Sequence, residues 1–349
     1  MLAALAAVAP GQPVREGLDR IRQSELGALI VVGDDPPVLS ICSGGFLLDA
    51  AFTPQRLSEL AKMDGAIILA NDASRIARAN VHLMPDPTVP TAETGTRHRT
   101  AERVARSLNV PVISVSESRD AITVYLGDEQ RPLLSSGTLL TRANQALQTL
   151  EQYRKRLHAT SAELAALEVE DLVTVRDVVS LLQRTEMVRR IADEIEVAIV
   201  ELGTDGRLVR LQLEELVGGA DDDRRYVLRD YLVDASAWGV EHALAALDEL
   251  EAEQLLDLRA VAERVALAGE AVELGESLQP RGYRLLARVP RLGEHLVERI
   301  VERFGSLQKT LRATPAELAD VSGLDESRAR AIKESLARLA ETSILDHYA

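Results

Sequence analysis

Several features that mark other protein classes are missing from this chain of 349 residues. It has one cysteine, Cys42, which excludes an internal disulfide and predicts an intracellular, cytoplasmic protein. No apolar run approaches the roughly 20 residues that a membrane helix needs, so we expect no membrane partner. The start, MLAALAAVAP, lacks a basic segment and a following cleavage pattern. We therefore expect no signal peptide.

Common nucleotide, metal and redox motifs are missing as well. The sequence contains no GxxxxGK[ST] phosphate loop, no GxGxxG fingerprint, no HExxH and no CxxC pair. A nucleophilic serine paired with His98 finds no support in the spacing of the residues. Any nucleotide or metal site therefore has to be built from other residue patterns.

The chain also lacks a net positive charge. The chain has 40 Lys and Arg residues and 55 Asp and Glu residues, which gives a formal net charge of −15. Taken over the whole chain, this charge disfavours nucleic acid as a partner. The charge is uneven, however: residues 1–144 carry −2, residues 145–280 carry −15 and residues 281–349 carry +2. The two shifts predict domain boundaries near 144 and 280. The +2 of the last segment permits weak, salt-sensitive contact with DNA.

Short β-branched runs alternate with helical segments in residues 1–144. The runs that predict buried strands are 27–33, 65–70, 110–116 and 121–127. Segments 53–63 and 99–109 have helical spacing. The short connection at 117–120 predicts an antiparallel hairpin, which makes the sheet mixed. We predict an α/β domain with a mixed sheet.

The rest of the chain is predicted to be all-α. Residues 145–280 repeat apolar residues at i, i+3, i+4 and i+7 and predict a helical linker bundle with a charged face. Residues 281–349 contain a repeat, because VPRLG (289–293) returns as VSGLD (321–325) and each precedes a helix. We predict tandem helix-hairpin-helix motifs joined by a connecting helix over TPAELADV.

The most unusual segment is TGTRHRTAER, residues 94–103. Gly95 lets the backbone turn, and the following residues begin a helix whose exposed N–H groups favour an anion. Side chains that can donate to a polyphosphate follow it: Thr96, Arg97, His98, Arg99 and Thr100. An exposed basic helix start without a ligand is the alternative for this segment taken alone.

Two further places complete the candidate site. Asp64 precedes a buried strand and is followed by Gly65, where a ligand can approach the backbone. Such a carboxylate can hold Mg²⁺ or Mn²⁺ or assist deprotonation of a hydroxyl, and a turn residue capping the strand is the alternative. Ser116 and Arg119 at the hairpin either complete a phosphate site or belong to a solvated tip.

Three motifs in this order resemble the diadenylate cyclase family: KMDGA (62–66), NVHLMPDPTVPTAETGTRHRTAERVA (80–105) and VISVSESRDAITVYL (112–126). With the helical linker and the helix-hairpin-helix pair, the resemblance covers essentially the whole chain. It implies that two ATP molecules condense into cyclic di-AMP and two pyrophosphates with Mg²⁺ or Mn²⁺. It also implies a homo-octamer in which cyclase domains face each other, each with one ATP.

The resemblance assigns roles to single residues. Asp64 matches the aspartate that binds the metal and faces the attacking 3′-hydroxyl, Gly65 a backbone contact near the ribose, and Leu83 an apolar contact near adenine. The implied phosphate contacts are Thr96, Arg97, His98, Arg99, Thr100, Ser116 and Arg119. Asp64 and the R-H-R segment at 97–99 are the expected catalytic residues. Glu117 stands where some relatives carry a basic residue.

For the C-terminal module the resemblance implies binding of branched DNA without sequence specificity, modulation of cyclase activity, and association with the nucleoid in the response to DNA damage. The expected DNA contacts are Arg291, Gly293, Gly323, Arg328, Arg330 and Lys333. Arg291 and Asp325 depart from the apolar-Pro-Gly-apolar-Gly pattern. Asp325 is expected to repel a phosphate and to lack glycine's access to positive φ. A helical interaction module without DNA affinity is the alternative.

Two classes of function therefore remain open. The first is a diadenylate cyclase regulated by DNA. The second is a DNA-binding sensor or scaffold whose nucleotide domain is inactive. A nucleotidyltransferase that uses an acceptor other than ATP is a further enzymatic alternative.

Overall fold

The computed structural model describes residues 1–117, 120–218, 220–267, 273–321 and 323–348. The chain forms two compact units, Met1–Leu147 with Glu194–Gln212, and Gln148–Asp193 with Leu213–Ala349. The domain boundaries expected at 144 and 280 stay a prediction. Among the described residues, no helix combines the length and the apolar character that crossing a membrane requires.

The first unit is built around one mixed sheet. Its strands are β1 (Ala28–Val32), β2 (Cys42–Ser43), β3 (Phe46–Ala51), β4 (Ala66–Leu69), β5 (Arg75–Leu83), β6 (Val112–Ser116), β7 (Ala121–Leu126) and β8 (Glu129–Pro132). They are ordered β2-β5-β4-β1-β6-β7-β8, and β3 pairs with β5. Strands β1 and β4 are parallel, whereas β6 and β7 form the antiparallel pair that the sequence predicts. The expected mixed sheet is confirmed.

Helices cover both faces of this sheet. They are α1 (Leu2–Ala7), α2 (Pro13–Gln23), α3 (Pro36–Ser40), α4 (Pro54–Leu60) and α5 (Thr96–Leu108). Side chains alternate between the faces along each strand, so every central strand supplies two cores. Ile30 packs in the core that includes Leu18 of α2 and Leu57 of α4. Its neighbour Val31 packs in the opposite core with Val104 of α5.

Strand pairing brings distant parts of the chain to one edge of the sheet. Leu29 at the start of β1 pairs with Ala66 at the start of β4. Ala28 pairs with Val115 near the end of β6, because β1 and β6 are antiparallel. The residues just before β1 and β4 and just after β6 therefore meet at the same edge. The sequence-predicted site residues Asp64 and Ser116 lie there.

The remaining helices belong to the all-α part of the chain, as predicted. They are α6 (Ser136–Glu170), α7 (Val175–Leu202), α8 (Arg207–Val217), α9 (Ala220–Tyr231), α10 (Ala237–Asp248), α11 (Ala252–Leu255), α12 (Leu258–Arg264), α13 (Tyr283–Ala287), α14 (Glu294–Phe304), α15 (Leu307–Arg312), α16 (Pro315–Ala319) and α17 (Glu326–Tyr348). A short 3₁₀ helix, Gly203–Gly206, separates α7 from α8.

The C-terminal helices form two helix-hairpin-helix motifs, α13 with α14 and α16 with α17. They share an apolar core that contains Leu286, Ile300, Leu318 and Leu336. The predicted role of TPAELADV as the connecting helix is wrong, because α16 is the first helix of the second motif. Helix α15 is the connection. It is only six residues long, which leaves little periodicity for a sequence pattern to show.

A buried polar cluster joins three helices inside the second unit. The Arg284 guanidinium of α13 donates to both carboxylate oxygens of Glu168 on α6, at 3.1 and 2.8 Å. Tyr231 of α9 donates to the same carboxylate. The side chains of Arg284 and Glu168 are 0% and 1% exposed. Asp230 of α9 accepts hydrogen bonds from the backbone N–H groups of residues 282–284.

Candidate functional site

An open cavity of about 1350 Å³ lies at the sheet edge described above. That volume is ample for a ligand of nucleotide size. Among the residues that the sequence predicts for the site, the cavity brings together Asp64, Thr96, Arg97, His98 and Ser116. Their separation along the chain is large, and it is the pairing of β1 with β4 and β6 that unites them.

Asp64 presents a carboxylate to solvent at the mouth of this cavity. Its side chain is 98% exposed, and one oxygen lies 3.6 Å from Nη2 of Arg97. The following residue, Gly65, has a φ of +119°, and a Cβ there would lie 2.9 Å from the backbone of Asn80 on β5. This turn needs glycine, because both the left-handed φ and the close approach exclude a side chain. The D-G pair therefore fixes where the carboxylate stands.

The first turn of α5 supplies another part of the cavity wall. Gly95 is the N-cap residue with extended backbone, and no side chain caps the helix. The residues from Gly95 to His98 line the cavity, so the N-terminal end of a 13-residue helix points toward it. The helix dipole and the N–H groups of this turn favour an anion. Arg97 adds a full positive charge beside them.

A hydrogen-bond network behind the cavity orients His98. Its Nδ1 lies 2.8 Å from the hydroxyl of Tyr125, and that hydroxyl donates to Glu93 at 3.0 Å. Because Tyr125 donates its hydroxyl proton to Glu93, the hydroxyl oxygen accepts a hydrogen bond from Nδ1 of His98. Burial raises the pKa of Tyr125 strongly, and the Glu93 carboxylate raises it further. The phenol therefore stays protonated at neutral pH.

Glu102 of α5 holds the loop that carries Glu93. This buried carboxylate accepts from the N–H of Ala92 at 3.1 Å and from the hydroxyl of Thr91. Arg103 and Arg106 of the same helix donate to the carbonyls of Val89 and Pro90. The loop preceding α5 is thus attached to the helix along much of its length.

Three other predicted residues that the structure describes, Leu83, Arg99 and Thr100, do not line the cavity. Leu83 is 6% exposed and packs in the core under α5. Arg99 is exposed on α5, and Thr100 is half-buried there. Arg119 lies outside the described residues. The proposed contacts of these four residues with a nucleotide stay predictions.

The oxygen ligands at this cavity suit a divalent cation only in part. The described residues contain no group of three or more His, Cys, Asp or Glu side chains that could hold a metal ion. Mg²⁺ is nevertheless commonly bound by one or two carboxylates together with substrate phosphates. An exposed Asp64 beside an anion-binding helix start fits that chemistry. The fit requires a phosphate-bearing ligand in the cavity.

The C-terminal hairpins form a second candidate site. A small groove between them is lined by Arg291 of the first hairpin and Arg328 of α17. Arg291 has a φ of +62°, the left-handed conformation that Gly323 adopts at the equivalent position with +93°. Both residues are exposed. Arg291 thus takes the strained conformation that the motif normally gives to glycine, and presents a cation there.

The expectation that Asp325 suffers from lacking glycine's freedom is wrong. The equivalent Gly293 is an N-cap residue with a φ of −69°, which any residue can adopt. Asp325 occupies the same place before α17, and its carboxylate accepts from the N–H of Arg328 at 2.7 Å. Aspartate is a favourable N-cap residue for this reason.

The other predicted DNA contacts differ in their surroundings. The side chain of Arg330 is exposed and pairs with Glu326 at 2.6 Å. The Lys333 ammonium donates to the backbone carbonyl of Leu311 at the end of α15. Contacts of these residues with DNA stay predictions.

Sequence patterns do not point to several residues of the first site. Arg22 of α2 lines the cavity, and Glu93, Glu102 and Tyr125 form the network behind it. Tyr125 stands in an apolar run that reads as ordinary core. Arg22 stands in an amphipathic helix among other charged residues. The roles of these four residues depend on where the fold places them, and no local sequence motif indicates these roles.

Three family models match successive parts of the chain between residues 15 and 338. The family described as DisA bacterial checkpoint controller nucleotide-binding matches residues 15–130. The DisA bacterial checkpoint controller linker region matches residues 133–274, and the SAM-like helix-hairpin-helix tandem matches residues 283–338.

Curated relatives match over nearly the full length. The DNA integrity scanning protein DisA of Frankia alni is 55% identical over 347 residues, which cover 99% of this chain and 97% of that protein. The protein of the same name from Parafrankia sp. is 54% identical with the same coverage. Among solved structures, DacA from Staphylococcus aureus is 23% identical over 38% of this chain and 87% of its own, with a TM-score of 0.29.

Proposed function

Since this chain belongs to the DisA family of DNA integrity scanning proteins, we propose that its first unit is a diadenylate cyclase. It condenses two ATP molecules into cyclic di-AMP and releases two pyrophosphates. The observation that carries this proposal is the Asp64 carboxylate, 3.6 Å from Arg97 at the mouth of a cavity whose wall is the N-terminal turn of α5.

Each half of the reaction forms one phosphoester bond. The 3′-oxygen of one ATP attacks the α-phosphorus of the other, the bond from that phosphorus to the pyrophosphate oxygen breaks, and the hydroxyl proton is released. Arg97 and the first turn of α5 hold the triphosphate and stabilise the charge that develops on it. Asp64 stands at the mouth, where it can receive the 3′-hydroxyl proton.

A second copy of the chain completes the active site. One cavity holds one ATP, and ring closure needs two nucleotides whose 3′-oxygens and α-phosphates are exchanged. We propose that two first units face each other with their cavities opposed, within a homo-octamer. The exposed position of Asp64 supports this arrangement, because the carboxylate is accessible to the nucleotide of a partner copy.

A divalent cation is the proposed cofactor. Mg²⁺ or Mn²⁺, held by Asp64 together with substrate phosphates, would neutralise charge on the triphosphate.

The direct test is incubation of the purified full-length protein with ATP and Mn²⁺, followed by ion-pair chromatography of the products. Cyclic di-AMP and pyrophosphate in a 1:2 ratio support the proposal. Linear adenylylated products would instead indicate transfer to another acceptor. ATP binding without turnover would indicate the sensor or scaffold alternative.

The hydroxyl of Tyr125 is expected to support turnover through His98. Tyr125→Phe keeps the ring in its buried position but removes the partner of His98 Nδ1 and of Glu93. Loss of a buried partner costs about 1–3 kcal/mol, so we expect kcat to fall about tenfold. Steady-state rates of cyclic di-AMP formation measure the effect. Tyr153→Phe in α6 is the control, and an unchanged kcat for Tyr125→Phe would exclude this role.

We also propose that the helix-hairpin-helix module binds branched DNA through phosphate contacts and that this binding lowers cyclase activity. Arg291 and Arg328 face the groove between the hairpins, and the charge of the segment supports contact with phosphates. Cyclase rates with and without excess four-way junction at low salt test the coupling. Equal rates would contradict it.

The substitution Arg291→Gly removes the side chain and its charge but leaves the left-handed backbone conformation possible. Glycine tolerates the φ of +62°, so the gain from released strain offsets the entropy that glycine loses on folding, and stability should change by less than about 1 kcal/mol. Removal of one phosphate contact should weaken junction binding and lower the slope of log K against log salt by about 1. A salt titration of junction affinity measures it. An unchanged slope would exclude Arg291 as a contact.

A further inference from the structure

Gly27 is a buried residue that lies behind Arg97, one of the residues lining the proposed active site. It directly precedes β1, and the first residue of that strand, Ala28, pairs with Val115 of β6. It therefore lies at the same sheet edge as Asp64 and Ser116. No sequence motif marks this position, and glycine before a strand is common.

The guanidinium of Arg97 occupies the space that a side chain at position 27 would fill. A Cβ built on Gly27 would lie 2.1 Å from Nη1 and 2.8 Å from Cζ of Arg97. Both distances are far below the roughly 3.5–4.0 Å of an ordinary contact. Arg97 thus reaches back from the start of α5 and packs against the bare backbone of Gly27.

We propose that Gly27 is a positioning residue for Arg97. The absent side chain allows the guanidinium to lie 3.6 Å from the Asp64 carboxylate. This inference rests on the proposed cyclase function. It adds a steric requirement that acts through Arg97 and does not involve contact of Gly27 with the nucleotide.

The backbone at position 27 does not itself require glycine. Its φ lies outside the left-handed range, so an alanine can adopt the same conformation. The atoms that it would displace are the far end of a flexible side chain. The fold should therefore accept Gly27→Ala, while the guanidinium has to move by about 1 Å or more. Misplacement of this size can reduce catalysis about 10²-fold.

The test compares Gly27→Ala, Arg97→Ala and the double variant with the wild-type protein. Readouts are kcat and KM for cyclic di-AMP formation, affinity for α,β-methylene-ATP by calorimetry, and the thermal midpoint. We expect Gly27→Ala to lower kcat/KM 10- to 100-fold and to weaken analogue binding, with a midpoint within about 3 °C of wild type. Gly137→Ala is the matched control, because a Cβ there meets nothing closer than 3.9 Å.

The double variant decides whether the effect passes through Arg97. If it does, Gly27→Ala causes no further loss of analogue affinity once Arg97 is alanine. Wild-type affinity and turnover in Gly27→Ala would overturn the inference, as would an equal loss in the Arg97→Ala background. If the wild-type protein binds the analogue but makes no cyclic di-AMP, the proposed function fails, and the affinities still decide the role of Gly27. Absence of analogue binding by the wild type would overturn both.

Discussion

Asp64→Asn should abolish the formation of cyclic di-AMP while the protein remains folded and its oligomer intact. The substitution removes the charge that holds the cation and accepts the proton, and loss of such a group costs about 10²- to 10⁴-fold in rate. The fold should tolerate the change, because the side chain is 98% exposed. Asparagine Oδ1 can also keep the hydrogen bond that Asp64 accepts from the N–H of Gly65.

The measurement is product formation from ATP with Mn²⁺, combined with size-exclusion chromatography to verify the oligomer. Asp72→Asn is a matched control in the turn between β4 and β5. Asp72 accepts from the N–H of Ser74, which asparagine can also do, and it does not line the cavity. We expect the control to turn over at the wild-type rate. Output near wild type from Asp64→Asn would remove Asp64 from the mechanism.

Arg284→Met should cause the largest loss of stability in the second unit. The substitution removes the arginine partner of Glu168, whose side chain is 1% exposed. The buried carboxylate would keep its charge, and among its described side-chain partners Tyr231 would be the remaining hydrogen-bond donor. Removal of one member of a buried ion pair costs about 3–5 kcal/mol. The cluster joins α6, α9 and α13, so the loss should loosen the first helix of the helix-hairpin-helix module from the bundle.

Denaturant unfolding measures the loss of stability in Arg284→Met, and two further variants serve as comparisons. Arg225→Met breaks the exposed pair with Glu241 and should cost at most about 1 kcal/mol. Arg284→Met combined with Glu168→Gln removes the uncompensated charge and should recover much of the stability. If Arg284→Met costs no more than Arg225→Met, the buried pair does not stabilise the unit.

The two predictions differ in how far sequence patterns alone support them. Asp64 is marked by its place before an apolar run and by the glycine that follows it. Glu168 and Arg284 carry no such mark, because each stands in a long amphipathic helix among many charged residues. Their separation of more than 100 residues hides the fact that they form one buried pair.

Within the first site the same distinction holds. The R-H-R segment is visible because a glycine, a helix start and several donors follow one another. The roles of Tyr125 and Gly27 cannot be predicted from the sequence, since an apolar strand and a glycine before a strand have ordinary packing roles in most proteins. Arg291 shows the converse, since its departure from the motif is evident in the sequence and its left-handed backbone is evident only in the structure.

Local sequence patterns are enough to predict the mixed α/β character of the first part, the helices, the repeated hairpins and the two charged motifs of the site. Hydrophobic periodicity, helix starts and glycine turns act over a few residues, so they can be recognised one segment at a time. Which of these segments come into contact depends on the tertiary fold. Pairing of β1 with β4 and β6 brings residues 27, 64 and 116 to one edge, where Gly27 makes room for Arg97 beside Asp64. Contacts of this kind depend on long-range strand pairing, which no local pattern encodes.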